Sequence, residues 1–136
     1  METFVWPIRV YYEDTDSGGV VYYANYLKFM ERARTEWLRA RGFEQDALLR
    51  DWRLLFAVRS LSVDYRRPAR LDDRLEVISQ MARVGAASLT FAQFIQRTDS
   101  AEALCEARVK VACIDAGSFQ ARRMPRELLR EIIGDT

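Results

Sequence analysis

A single change of period governs what this chain can become. From Asn25 to about Arg41 the apolar residues Tyr26, Phe29, Met30, Ala33, Trp37 and Ala40 recur at helical spacing, so a helix about 25 Å long must bury one side. Gly42 is well placed to stop it. A short helix is expected over Gln45 to Arg50, and from there the repeat falls to two and stays there. Around Phe56 to Tyr65, the set Ala57, Leu61, Val63 and Tyr65 shares a predicted face, and Arg66-Arg67-Pro68 closes the run because proline cannot donate to a ladder. Arg74 to Val84 sets Leu75, Val77 and Met81 against Glu76, Gln80 and Ala82, with a turn at Gly85. Leu89, Phe91, Gln93 and Ile95 alternate with Thr90, Ala92, Phe94 and Gln96, and Cys105, Ala107, Val109, Val111 and Cys113 oppose Glu106, Arg108 and Lys110.

A first strand is predicted over about Phe4 to Tyr12, and a closing helix over residues 125–133 with a proline at its first turn. Strands joined by tight turns favour one antiparallel sheet, and a single long helix with a continuous apolar side needs that sheet as its cover. The expected fold is therefore α+β, a curved antiparallel sheet wrapped around one central helix. The polar side of that helix should carry the ion pairs Arg32–Glu36, Glu31–Arg34 and Glu36–Arg39. A chain of 136 residues suits one domain, 1–136. Regular strands left at the two sheet edges invite pairing with a copy, so a homodimer or homotetramer is expected.

Charge and composition remove several classes of function. Twenty-one basic and 20 acidic residues are interspersed to a net +1, which supplies no field for nucleic acid or an anionic membrane. No apolar run approaches the roughly 20 residues that cross a bilayer, and the first residues lack the basic stretch and apolar core of a leader, so a cytoplasmic protein with no integral membrane segment is expected. Cys105 and Cys113 lie on one predicted strand roughly 26 Å apart, too far to bond to each other, and read as reduced core residues.

The chain has no histidine, which removes the usual general base, nucleophile activator and metal ligand. Its best chemical group is Asp16, in the turn Asp14-Thr-Asp16-Ser-Gly18-Gly19 just before the long helix. Gly18 and Gly19 allow close approach of a ligand to the backbone, and the helix start offers unpaired N–H groups and about half a positive charge, able to polarise a carbonyl. A carboxylate beside an oxyanion site suggests acyl transfer. The turn is no calcium loop, since the twelfth position from Asp14 is Asn25 rather than glutamate, and it has no lysine of a nucleotide-binding loop. No metal site is expected.

The run Tyr12-Glu-Asp-Thr-Asp16-Ser-Gly-Gly-Val-Val-Tyr-Tyr23-Ala-Asn-Tyr26, continued by Phe29-Met-Glu-Arg-Ala-Arg-Thr-Glu36, resembles the hot-dog-fold acyl-CoA thioesterases. The likeness is to the branch that contains 4-hydroxybenzoyl-CoA thioesterase and the thioesterases associated with the Tol-Pal system. It continues at Val63-Asp-Tyr-Arg-Arg-Pro-Ala-Arg-Leu-Asp-Asp73 and loosely over Glu106 to Asp115, and so covers nearly the whole chain. The resemblance implies the hot-dog fold. It also implies that Asp16 is the catalytic carboxylate, as nucleophile or as general base for water, and that Tyr23 supplies the backbone N–H for the thioester carbonyl. In that family the active site lies at a dimer interface, with pantetheine threaded between subunits.

Tyr12, Gly18, Gly19, Val20 and Asn25 are the candidate substrate-binding residues. Arg66, Arg67, Arg122 and Arg123, together with Arg70 and Arg126, are candidates for the phosphates of coenzyme A. Coenzyme A enters as part of the substrate, so no cofactor is expected, and the acyl group arrives on coenzyme A or on an acyl carrier protein. Many Tol-Pal-associated members carry histidine where this chain has Tyr23, whereas the hydroxybenzoyl type has tyrosine. The missing imidazole argues against the related dehydratases and hydratases. A non-catalytic acyl-CoA or acyl-carrier-protein binding module is the alternative reading.

Overall fold

The computed structural model describes residues 2–134. A strand β1 (Thr3–Arg9) leads through a short 3-10 turn at Tyr12–Asp14 to the long helix α1 (Tyr23–Ala40) and then α2 (Gln45–Trp52). Four strands follow, β2 (Leu54–Tyr65), β3 (Arg74–Val84), β4 (Ser88–Arg97) and β5 (Ala103–Asp115), and α3 (Arg126–Ile133) closes the chain. The strands form one antiparallel sheet in the order β1-β3-β4-β5-β2. This is the expected α+β architecture, with β1 and β2 at the edges and α1 against the inner face.

Burial explains why the period-two segments settle this way round. Leu75 and Val77 of β3, Leu89, Phe91 and Ile95 of β4, and Cys105, Val109 and Cys113 of β5 join Phe29, Met30, Ala33 and Trp37 of α1 in one buried cluster. Each large apolar side chain so buried stabilises the fold by about 1.5–3 kcal/mol. Trp37 meets Phe91 edge-on with ring centroids 5.2 Å apart. Both cysteines are free and buried, and burial pushes the Cys105 thiol up to about 12 and the Cys113 thiol to about 11.

Four expectations need correction. β1 stops at Arg9 rather than Tyr12, because the Val10 N–H turns to the Asp73 carbonyl (3.0 Å) and the Tyr11 N–H to the Asp14 carboxylate (2.8 Å). α1 starts at Tyr23, two residues before Asn25. A register shift between Val58 and Ser60 makes Arg59 a bulge, so Phe56 and Val58 share a face with Leu61, Val63 and Tyr65, while Ala57 lies on the other. Of the three predicted ion pairs on α1, only Glu36–Arg39 forms among the described residues, at 2.7 Å. Arg34 turns inward instead and donates to Gln93 (3.0 Å), while Glu31 accepts from the Thr35 hydroxyl.

Candidate active site

Between β1 and α1 the chain makes a small hairpin with Asp16 at its tip. Thr15 and Val21 are bridged across its arms, the Asp16 N–H donates to the Val20 carbonyl (2.9 Å), and the Gly19 N–H donates back to the Asp16 carbonyl (3.0 Å). Gly19 has φ +78°, a conformation that only glycine adopts without strain. The Gly18 N–H donates to Asp16 Oδ1 at 2.9 Å, and a Cβ on Gly18 would lie 3.2 Å from that oxygen. One carboxylate oxygen is thus tethered in an exposed tip, and Oδ2 has no partner within the described residues.

The hairpin delivers the chain to the start of α1, and that start is unusual in what it lacks. Tyr22 at the N-cap makes no side-chain capping hydrogen bond, and no acidic residue occupies the first turn. The Asn25 N–H bonds to the Tyr22 carbonyl at 2.8 Å, but among the described residues the Tyr23 and Ala24 N–H groups have no acceptor. Most helices satisfy these donors with a capping side chain or a carboxylate. Here the positive end of the helix dipole is left open beside Asp16, which is the electrostatics needed to receive an oxygen that gains negative charge. The Tyr22 phenol is held above its ordinary range chiefly by the neighbouring Tyr23 phenol, with the Asp16 charge adding to the effect.

Exposed tyrosines surround this opening. The Tyr22 and Tyr23 rings lie 4.8 Å apart, and Tyr65 at the end of β2 packs on both Tyr23 (6.0 Å) and Tyr26 (5.6 Å). The helix flank that begins at Tyr23 continues through Leu27, Glu31, Arg34 and Leu38. It forms one wall of two adjoining clefts of about 420 and 360 Å³, whose opposite walls include Val58, Leu61, Val109, Phe56 and Phe91.

The structure thus gathers Asp16, Gly18, Gly19, Val20, Tyr23 and Asn25 at one place, with Val20 bridged to Arg70 and Asn25 buried. Tyr12 sits nearby on the 3-10 turn with its side chain in solvent. The candidate phosphate ligands are not gathered. Arg66 pairs with Glu106 (2.7 Å) and Arg67 with Glu102 (2.8 Å) at one end of β2, whereas Arg122 donates to the Trp52 carbonyl at the other. The strand between them spans roughly 35 Å, so the two arginine groups of one protomer cannot meet one phosphate. Tyr65, packed on Tyr23, joins the candidate site without having been singled out in the sequence, since nothing in its strand distinguishes it from an ordinary edge position. Among the described residues no cluster of acidic or cysteine side chains could hold a metal ion, and no helix is long and apolar enough to cross a membrane.

A family model described as the thioesterase-like superfamily matches residues 10–132. The chain is 47% identical over 128 residues to the Acyl-CoA thioester hydrolase YbgC of Escherichia coli, covering 94% of each. A crystal structure of a probable thioesterase from Bartonella henselae superposes with a TM-score of 0.85 at 35% identity, covering 91% of this chain and 100% of that one. A 1,4-dihydroxy-2-naphthoyl-CoA thioesterase from Synechocystis superposes with a TM-score of 0.89 at 25% identity, covering 97% and 96%. The chain therefore belongs to the thioesterase-like superfamily, as a thioester hydrolase of the hot-dog fold.

Proposed function

We propose that the protein hydrolyses acyl-CoA thioesters at the opening between Asp16 and the first turn of α1. The observation that carries this reading is a tethered carboxylate on the hairpin that leads into α1, whose first two amide donors have no acceptor among the described residues. The thioester carbonyl oxygen takes the Tyr23 N–H, which favours the negative charge that develops there. Asp16 Oδ2 then attacks the carbonyl carbon, expelling the coenzyme A thiolate and leaving a mixed anhydride that water cleaves, or it takes a proton from a water that attacks directly. Either route consumes one water and yields the free acid and the thiol, and neither needs an imidazole.

The acyl group has the α1 flank to lie against, where the cleft walls run from Leu27 toward Phe56 and Phe91. In this reading Tyr12, Arg66 and Arg67 are the side chains that meet the carrier. The exposed β2 edge, where Val58 and Leu61 are 47% and 42% accessible, suits pairing with a second copy. The test is thiol release from aromatic, short-chain and long-chain acyl-CoAs by the wild type and by Asp16→Asn. Turnover that vanishes in the variant supports the reading. Equal and negligible release from both, with ligand affinity retained, would favour an acyl-CoA or acyl-carrier-protein binding module.

A further inference from the structure

Both arms of the Asp16 hairpin are fastened to the first turn of α1, each by a side chain that this turn supplies. On the near arm, the Asp14 carbonyl accepts from the Asn25 side-chain amide (2.9 Å) and from the Tyr22 N–H (2.9 Å). On the far arm the connection passes through Ala69, which is fully buried. The Ala69 N–H donates to the Tyr26 hydroxyl at 2.9 Å, and the Ala69 carbonyl accepts the Val21 N–H at 2.8 Å. The loop holding Ala69 is itself braced. Arg97 donates to the Pro68 carbonyl (2.9 Å) and the Asp73 carboxylate (3.1 Å), and that carboxylate accepts the Arg70 N–H (2.8 Å).

The hydrogen bonds close a ring from helix to hairpin to loop and back to helix. We infer that Tyr26 and Asn25 are positioning residues that hold the Asp16 carboxylate in register with the Tyr23 amide. The inference rests on the catalytic reading above and makes Asn25, a candidate substrate contact in the sequence, a positioning residue instead. The carboxylate is exposed and tethered through a single N–H, so its distance from the amide is set by where the hairpin arms are pinned. A displacement of about 1 Å at a reacting group can lower the rate about a hundredfold.

Tyr26→Phe removes one hydroxyl, and Asn25→Leu removes the donor at similar side-chain volume without adding a charge to the first turn of α1. Both should fold, and each should lower kcat about ten- to a hundredfold at a KM near that of the wild type. Ser79→Ala, which loses a buried hydrogen bond from Gln93 between β3 and β4 that faces the middle of α1, is the structural control. It should lower the melting temperature and leave kcat intact. In an Asp16→Asn background, Tyr26→Phe should cause no further loss of rate while still lowering the melting temperature.

A wild-type kcat in folded Tyr26→Phe and Asn25→Leu would overturn the inference. So would a raised KM at unchanged kcat, which would make Asn25 a substrate contact. A full Tyr26→Phe loss persisting in the Asp16→Asn background would also overturn it. A fully active Asp16→Asn is a separate result, which overturns the catalytic reading and the inference together.

Discussion

Two of the polar junctions that fasten α1 to the rest of the molecule are finished in opposite ways. At mid-helix, Gln93 is 1% exposed and has every polar atom engaged. Its amide donates to the Met30 carbonyl (3.0 Å) and the Ser79 hydroxyl (2.9 Å), and its carbonyl accepts from Arg34 (3.0 Å). At the helix start, Asn25 donates to the Asp14 carbonyl and Tyr26 accepts the Ala69 N–H, and they hold open a place where, among the described residues, two amides and one carboxylate oxygen have no partner. A satisfied buried network makes a junction rigid and leaves nothing for a ligand. Polar groups left without partners beside a rigid junction are where chemistry is to be sought.

Substitutions at the two junctions should separate rate from stability. Asp16→Asn retains an acceptor for the Gly18 N–H, so its melting temperature should stay near that of the wild type while thiol release falls about 10²–10⁴-fold. Gln93→Ala should do the reverse. It strands the Ser79 and Arg34 partners and leaves a cavity, so chemical denaturation should show a loss of about 2–4 kcal/mol, with kcat of the folded fraction retained. Equal rate losses at both junctions would erase the distinction.

Gly18→Ala sharpens the comparison on a smaller scale. Its new Cβ presses on the oxygen 3.2 Å away, and steady-state kinetics should show kcat reduced about three- to tenfold. The weakest expected effect lies in the core. A thiol whose folded pKa is raised above its ordinary value near 9 favours the folded state below pH 9. That contribution is lost as pH climbs from 9 toward the values of about 11 for Cys113 and about 12 for Cys105. Denaturation midpoints should therefore decline over that alkaline window, and a Cys105→Ala, Cys113→Ala double variant should decline less steeply.

The sheet was legible because its strands alternate cleanly. Leu89, Phe91, Gln93 and Ile95 fall on the buried face as the period requires, and β3 begins and ends where predicted. The sequence reading missed what the chain does not spell out in period or in capping residues. A bulge at Arg59 reverses the face of β2, and no local signal marks it. Arg34 has a glutamate three residues before it and nevertheless turns to Gln93, 59 positions away, because the interior offers it an acceptor.

The helix start, which periodicity put at Asn25 and the family resemblance put at Tyr23, is the most informative case. A helix is sought at a Ser, Thr, Asp or Asn cap, and the first such residue near the pattern is Asn25. α1 begins two residues earlier at an N-cap tyrosine without a side-chain capping bond. The feature that hid the boundary is the one that leaves the amides free. Asp16, Gly18 and Gly19 could be named from the sequence because they lie within one short run. Tyr26, Ala69 and Tyr65 could not, since their roles exist only once β2 and the loop after it return to the helix start.

The role of the helix start can be isolated by changing a single N–H. Tyr22 has φ −62° and ψ 132°, a conformation suited to a residue before proline, and the first helical position tolerates proline without loss of the helix. Tyr23→Pro therefore deletes the amide donor, while Tyr23→Phe keeps it and changes only the hydroxyl. Thiol release measured side by side on the two variants should fall about 10²–10³-fold in Tyr23→Pro and remain near the wild type in Tyr23→Phe. Wild-type turnover in a folded Tyr23→Pro would contradict an oxyanion role for this amide.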